Sequence, residues 1–565
     1  MNGNFTSGTP AAKKSGLSLS GSITMEPIML RKTKSFHRAV RVLNTLQSNV
    51  LERQRRHQEN PAVQLKAMHG LLHRTGLSVD DLDKLNIIHV TGTKGKGSTC
   101  AFTERILRNY GFRTGFYSSP HLVHVRERIR INGQPISRDC FAKYFWEAYE
   151  RLDVTKDIYG GSMPFYFQFL TLLAFHVFLR ERVDLAVIEV GIGGEYDCTN
   201  IIRKPWVCGI SSLGIDHSSL LGDTMEKIAW QKAGIFKPGV PAFTVRQPPS
   251  PMEVLQDRAE EKGCPLLVCP ELDEYEALGG PLHLSLVGDH QRWNASLALQ
   301  LSYSWLQRQE AERKGRIFST SSTGRRPGSR AAAFQPSTTM CEGLQETEWL
   351  GRNQTVRHGP VTYYIDGAHT KASMQICVHW FQQEMMKNQS SRGSTVKVLL
   401  FNTSGGRDSA ALLKLLVPCQ FDYAVFCPNI PETLPNNIAH QDINVSVESM
   451  LDSCLANQSS WKSLSRAEGQ FPEQLLQHQH HRHHLVVNSG SPSRVFPCIL
   501  SALRWISQGK DPVLVGGVSG RSDNLLQSAD GAKALQEAAH IAVLVTGSLH
   551  LVGGALQNLD PSLAL

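Results

Sequence analysis

Short apolar runs alternate along this chain with longer stretches in which apolar residues recur at helical spacing. Helical spacing is seen over residues 38–51 and 62–72, and an alternation of strand and helix begins at Leu85. The candidate strands of the first half are residues 86–90, 114–117, 185–190 and 207–211. Because apolar runs separated by helices are typical of strands covered on both faces, the pattern predicts an α/β fold with a mostly parallel sheet.

The same alternation returns in the second half, after a change of composition. Residues 306–348 are rich in Ser, Thr, Gly, Arg and Ala, which predicts a linker or disordered insertion between a first domain, 26–305, and a second, 349–565. Residues 455–485 are predicted as an inserted loop of the second domain. The candidate strands of that domain are residues 361–365, 396–401, 423–427 and 541–545.

Composition and charge narrow the class of protein. The net charge of +9 is modest for 565 residues and the basic residues are dispersed, so we expect anionic small substrates and no nucleic-acid partner. The longest strongly apolar run, 165–179, is interrupted by Gln168 and His176 and is too short for a membrane span. Twelve cysteines without a CxxC pair favour unpaired thiols in a reducing compartment.

The first 25 residues have the composition of an organelle transit segment. They contain Lys13, Lys14 and many Ser and Thr residues, and no acidic residue precedes Glu26. A disordered tail has the same composition, so both interpretations stand. Initiation at Met25 would remove the segment and leave a cytosolic form.

The run His89-Val-Thr-Gly-Thr-Lys-Gly-Lys-Gly-Ser98 directly follows the first candidate strand. Gly95 and Gly97 let backbone N–H groups crowd around an anion, Ser98 begins a predicted helix, and Lys96 adds a positive charge. This order predicts a loop that holds the phosphates of ATP. The run lacks the usual Ser or Thr after its Gly-Lys pair, so a lysine-rich surface turn is the alternative.

A second motif, Ser118-Ser-Pro-His-Leu122, follows the next candidate strand. Together with the glycine-rich run it resembles the folylpolyglutamate synthase family, relatives of the bacterial Mur ligases. Further matches place the resemblance over residues 38–555, apart from insertions. It implies a P-loop ATPase domain with a mostly parallel sheet, followed by a second, Rossmann-like α/β domain.

Two further strands end in residues that suit a metal ion. Glu189 ends an apolar strand before a glycine-rich turn, where a hard oxygen ligand for Mg²⁺ is needed beside a phosphate loop, although a pair with a basic residue is the alternative. His217 also follows a strand and could ligate a metal, orient a substrate or cap a turn. The family resemblance implies a Mg²⁺ site formed by Ser119, Glu189 and His217.

The resemblance implies roles for five more residues. Lys232 matches a lysine that is carbamylated in bacterial relatives, and an ordinary solvated helix lysine is the equal alternative. Asn294 matches a residue near the adenine, while Arg352 and Asp366 match ATP contacts at the start of the second domain. His369 closes the motif Asp-Gly-Ala-His and completes, with Lys96, His217 and Lys232, the predicted catalytic set.

The function implied is an ATP-dependent ligase that adds L-glutamate to the γ-carboxyl of the glutamate tail of a reduced folate. ATP and Mg²⁺ are the expected cofactors, with a monovalent cation such as K⁺, and a monomer in the mitochondrial matrix and the cytoplasm is expected. A dihydrofolate synthase or bifunctional enzyme is the rival within ligases. A P-loop kinase or a nucleotide-dependent switch protein is the rival from another class.

Overall fold

The computed structural model describes residues 34–47, 61–157, 163–316, 326–388, 393–403, 407–432, 447–468, 492–515 and 533–564. In these ranges the chain forms two sheets, each with helices on both faces. The transit segment predicted for residues 1–25 lies outside the described residues.

The first sheet contains nine strands in the described ranges, in the order β4-β3-β2-β5-β1-β6-β7-β8-β9. Neighbouring strands run parallel from β2 to β9, whereas β3 and β4 form an antiparallel edge. The predicted α/β class is therefore confirmed. The strands are β1 (Ile88–Thr91), β2 (Thr114–Tyr117), β3 (Ile129–Ile131), β4 (Gln134–Pro135), β5 (Leu185–Glu189), β6 (Val207–Ile210), β7 (Ala242–Thr244), β8 (Leu266–Val268) and β9 (Ser329–Arg330).

The central strands of this sheet are buried because helices cover both of its faces. A large apolar cluster lies on one side, and α4 packs on the other between α11 and α12. The helices are α1 (Phe36–Thr45), α2 (Pro61–Arg74), α3 (Val79–Asp83), α4 (Lys96–Asn109), α5 (Arg138–Thr155), α6 (Tyr166–Arg180), α7 (Ser218–Leu221), α8 (Met225–Lys232), α9 (Pro249–Glu261), α10 (Leu272–Gly279), α11 (His290–Arg313) and α12 (Thr338–Glu346).

The second sheet has the strand order β10-β11-β15-β12-β13-β14, with β10 antiparallel to β11 and the remaining pairs parallel. Its strands are β10 (Gln354–His358), β11 (Val361–Ile365), β12 (Thr395–Phe401), β13 (Tyr423–Phe426), β14 (Ser493–Val495) and β15 (His540–Thr546). Its helices are α13 (Lys371–Asn388), α14 (Ser409–Leu416), α15 (Val447–Glu468), α16 (Ile499–Ser507), α17 (Pro512–Val515), α18 (Lys533–Glu537) and α19 (Leu549–Leu559).

The structure differs from the linker predicted for residues 306–348. Helix α11 continues to Arg313, β9 extends the first sheet, and α12 packs against α4. Met340 and Leu344 on α12 are buried in the same apolar cluster as Phe102 and Ile106 of α4. The described part of the segment, 306–316 and 326–348, thus contributes to the first domain because its few apolar residues face the core.

The loop predicted for residues 455–485 also differs in its first part. Residues 455–468 belong to α15, where Trp461 is buried against Phe421 of the second domain. The remainder of that prediction lies outside the described residues. Among the helices that the structure describes, none is long and apolar enough to cross a membrane.

Candidate active site

The glycine-rich run forms a loop between β1 and α4, as its sequence predicts. Gly92 and Gly95 adopt φ angles of 147° and 87°, which L side chains rarely allow, and Gly95 precedes the first turn of α4. A Cβ on Gly95 would lie 2.1 Å from Oδ1 of Asn294. The structure thus brings Asn294 of α11 against the phosphate loop, at the helix N-terminus where an anion binds.

Two lysines converge on one carbonyl of this loop. Nζ of Lys96 donates to the Gly92 oxygen at 3.0 Å, and Nζ of Lys232 donates to the same oxygen at 2.7 Å. Lys232 is buried, and burial together with the charge of Lys96 holds its pKa well below the usual value. The solvated helix lysine that the sequence left open is therefore excluded by the structure.

Glu189 ends β5 next to the segment that carries Ser119. Its Oε2 accepts the backbone N–H of Ser119 at 3.0 Å, and no protein group described here donates to Oε1. Burial raises the pKa of this carboxyl, opposed by the charges of Lys96 and Arg352. A largely buried carboxylate with one oxygen free of donors from the described residues, beside the phosphate loop, fits a divalent cation.

His217 lies after β6 on a short turn with left-handed backbone, φ 51°. Burial lowers the pKa of its imidazole against the opposing charge of Asp216, and the charges of Lys96 and Lys232 lower it further, which favours the neutral form that a metal requires. Among the described residues, no group of three or more His, Cys, Asp and Glu side chains could hold a metal ion. The predicted set contains only two side chains of those types, with Ser119 as the third.

An ion pair lies on the same side of the site. Nζ of Lys94 donates to Oδ2 of Asp216 at 3.0 Å. Burial disfavours the charge of Asp216, yet the positive charge of Lys94 and the hydrogen bond that it donates oppose burial, and the pKa of Asp216 is lowered to about 2. Asp216 therefore neutralises the charge of Lys94, and Lys96 stays available for a phosphate.

The second domain contributes a turn built on Asp366, directly after β11. Its carboxylate accepts the backbone N–H of Asn353 and of Ala368, each at 2.9 Å, and is buried. Arg352 lies on the segment before β10, which is joined to this turn by the Gly367 N–H to Gly351 oxygen hydrogen bond, and its charge stabilises the ionised forms of both Asp366 and Glu189. The two domains therefore meet at the carboxyl ends of their strands, as expected for ligand sites in such sheets.

His369 follows the same turn and is held by its own backbone. Its Nδ1 lies 2.8 Å from the Gly367 oxygen, and burial with the charges of Lys94 and Arg407 lowers its pKa to about 3. Arg407 was not predicted from the sequence. A signal for it was nevertheless present, since Arg407 follows the apolar strand β12 through Ser-Gly-Gly. The strand-end rule that found Glu189 applies equally to Arg407.

Comparisons with known proteins show the family of this chain. No family model matches the chain. A mitochondrial folylpolyglutamate synthase of Bos taurus is 56% identical over 558 residues, covering 95% of this chain and 94% of the relative. That of Homo sapiens is 55% identical over 580 residues, covering 98% and 96%. The chain belongs to the folylpolyglutamate synthase family.

Solved structures of the folylpolyglutamate synthase family share the fold. The Mycobacterium tuberculosis synthase complexed with ADP matches with a TM-score of 0.60 at 22% identity, over 92% of this chain and 97% of that one. FolC of E. coli in complex with DHPP and ADP matches with a TM-score of 0.55 at 22% identity, over 90% and 99%. The predicted family and the two-domain α/β architecture are thereby confirmed.

Proposed function

We propose that this chain is an ATP-dependent ligase that joins L-glutamate through γ-carboxyl amide bonds to reduced folates. The observation that carries the proposal is the convergence of the Lys96 loop and buried Glu189 of the first domain with Arg352 and Asp366 of the second. A P-loop kinase has no need of the second-domain turn. The relatives that cover nearly the whole chain are named for this activity.

The chemistry explains why the reaction requires ATP. A carboxylate is a poor acyl donor because its leaving group would be oxide, so its oxygen first attacks the γ-phosphorus and ADP leaves. The amine of glutamate then attacks the acyl carbon, phosphate departs, and the amine loses a proton. Lys96 and the backbone N–H groups at the start of α4 stabilise the charge on the transferred phosphoryl group.

Mg²⁺ fits the residues near the loop. Glu189 would bind it through a carboxylate oxygen, with Ser119 and His217 as the other protein ligands, and the bound ion would neutralise phosphate charge. Asn294, Gly95, Gly97 and Ser98 would border the nucleotide. The role of a monovalent cation such as K⁺ rests on the family resemblance.

The first test is a product assay with a matched pair of variants. Purified protein receives Mg-ATP, L-glutamate and either tetrahydrofolate or dihydropteroate, and product mass is read with ADP release. We expect added glutamate on tetrahydrofolate only, and loss of at least about 100-fold in turnover for Glu189→Gln. Glu253→Gln, on the exposed surface of the same domain, should leave turnover unchanged.

Each of the other results of this assay would support a different activity. Product from dihydropteroate would support the dihydrofolate synthase or the bifunctional enzyme. ATP turnover without glutamate on either folate would overturn the ligase assignment in favour of a kinase or switch protein.

We also propose that the protein is a monomer that works in both mitochondria and cytoplasm. The mitochondrial relatives support the first location. Tagging the full chain and a version that starts at Met25 tests the second, because only the shorter form should remain cytoplasmic. Light scattering of the purified protein tests the monomer.

A further inference from the structure

Trp349 lies where the chain passes from the first domain to the second. It follows α12 and precedes Arg352 by three residues, and its half-buried ring borders the apolar clusters on both sides of α4. Its indole also contacts the phosphate loop. A Cβ on Gly97 would lie 2.9 Å from Cζ2 and 3.1 Å from Nε1 of Trp349, closer than side-chain atoms normally approach.

Two neighbouring groups pack against the indole. The guanidinium of Arg130 lies 5.2 Å from the ring centroid, and the ring of Phe116 lies 5.5 Å away. Arg130 is itself fixed, since its Nε donates to the Glu127 oxygen at 3.1 Å. A cation and a ring from β2 therefore stabilise the position of Trp349 beside the loop.

Gly97 occupies the position where most P-loops have a Ser or Thr hydroxyl. It lies in the first turn of α4 with ordinary helical backbone, so conformation does not require a glycine here. The neighbouring indole supplies the reason for this residue, because it fills the space that a side chain would need.

We propose that Trp349 is a positioning residue that fixes the first turn of the phosphate-loop helix against the segment leading to Arg352. The proposal deepens the proposed function and rests on it, since it assumes that this loop binds the nucleotide. The absence of a side chain at Gly97 then makes room for Trp349, and the effects of substitutions at the two positions on nucleotide binding are coupled.

A double-mutant cycle tests this pairing by direct binding of Mg-ADP, which needs no ligase activity. We expect Gly97→Ala to weaken binding at least tenfold and Trp349→Leu to weaken it several-fold. The double variant should bind no worse than Trp349→Leu alone, because the added methyl group then has space. Kinetics should show the same pattern in KM for ATP.

Trp505 supplies the matched control. It also carries an arginine over its ring, Arg494 at 5.3 Å, but it lies in the core of the second domain. Trp505→Leu should lower the melting temperature while leaving Mg-ADP affinity and the Gly97→Ala effect unchanged. If Trp349→Leu does not fold, Trp349→Phe keeps a smaller ring and should relieve Gly97→Ala in part.

Fold-changes that multiply in the double variant, or normal binding by Gly97→Ala, would overturn the pairing. Such a result leaves the ligase assignment intact when product still forms. Conversely, absence of Mg-ADP binding by the unmodified protein would refute the nucleotide site itself, so the two failures are distinguishable.

Discussion

Four residues of this site are held where burial opposes their charge. Burial raises the pKa of Glu189 and Asp366, and it lowers the pKa of Lys232 and Arg352. Charges that are poorly stabilised by the protein are those that a bound nucleotide and cation can stabilise. The site thus depends electrostatically on its ligands.

Lys232 leads to a prediction about its chemical form. Burial favours a neutral amine that can add CO₂, and the nearby positive charges of Lys94 and Lys96 would stabilise the resulting anion. We therefore expect a carbamylated Lys232, with activity lost in CO₂-free buffer and restored by bicarbonate. The mass of the Lys232 peptide, measured under mild conditions, provides the second readout. Activity that does not depend on CO₂ would contradict the prediction.

Two buried histidines predict a loss of stability in mild acid. Burial lowers the pKa of His89 to about 3 and of His176 to about 4, from a usual value of 6.5. Below pH 6.5 the unfolded chain gains protons that the folded chain does not, so stability falls until the folded pKa is reached. Each histidine should contribute about 1.4 kcal/mol per pH unit below about pH 6.

Urea unfolding at several pH values checks this expectation. His176→Leu should flatten the dependence of the unfolding free energy on pH by one proton. The exposed His69→Leu offers the control and should leave the slope unchanged. A slope that is the same in His176→Leu as in the unmodified chain would show that this imidazole is not the source.

At the scale of elements, the long apolar strands could be predicted from sequence and the short polar ones could not. Strands β1, β5, β11 and β15 are buried along their whole length and consist mostly of apolar residues, which gives a clear strand signal. Strand β9 has only two residues, Ser and Arg, and no such signal. Helix α12 did have a helix signal in the sequence, since Ser337 stands at its N-cap and accepts the Met340 N–H.

Helix α12 should contribute to stability as part of the first core. Leu344 is fully buried against α4, so Leu344→Ala should lower the unfolding free energy by about 2–5 kcal/mol. Leu278→Ala, on the exposed side of α10, should cost less than about 0.5 kcal/mol. Equal melting temperatures for the two variants would mean that residues 338–346 are dispensable for the fold.

At the scale of the whole molecule, contacts between the domains carried no sequence signal. Nδ2 of Asn353 donates to the Val287 oxygen at 3.0 Å, and α19 approaches the first domain at Gly553. These residues are distant in sequence and follow no period, so only the folded chain shows that they meet. The two sheets could be predicted, but their mutual placement could not.

Gly553 allows the closest of these approaches. A Cβ there would lie 1.9 Å from the Leu122 oxygen, and Leu122 cannot retreat easily because Glu127 accepts its N–H and those of the next two residues. Gly553→Ala should therefore displace the second domain and lower kcat at least tenfold, with a changed small-angle scattering profile.

The neighbouring glycine provides a control within one domain. A Cβ on Gly554 would meet the flexible tip of Ile499 at 2.4 Å, inside the second domain. Gly554→Ala should cost stability without altering the scattering profile. Unchanged kcat in Gly553→Ala would contradict a fixed contact between the domains.

The reactivity of the buried cysteines can report the order in which the two domains unfold. Burial raises the pKa of Cys208 in the first domain and of Cys454 in the second to about 12, so neither thiol is reactive at neutral pH while its domain stays closed. An alkylating pulse during slow denaturation would mark each thiol as its surroundings open. Mass spectrometry of the two peptides would then show which half of the protein opens first, without any label being introduced.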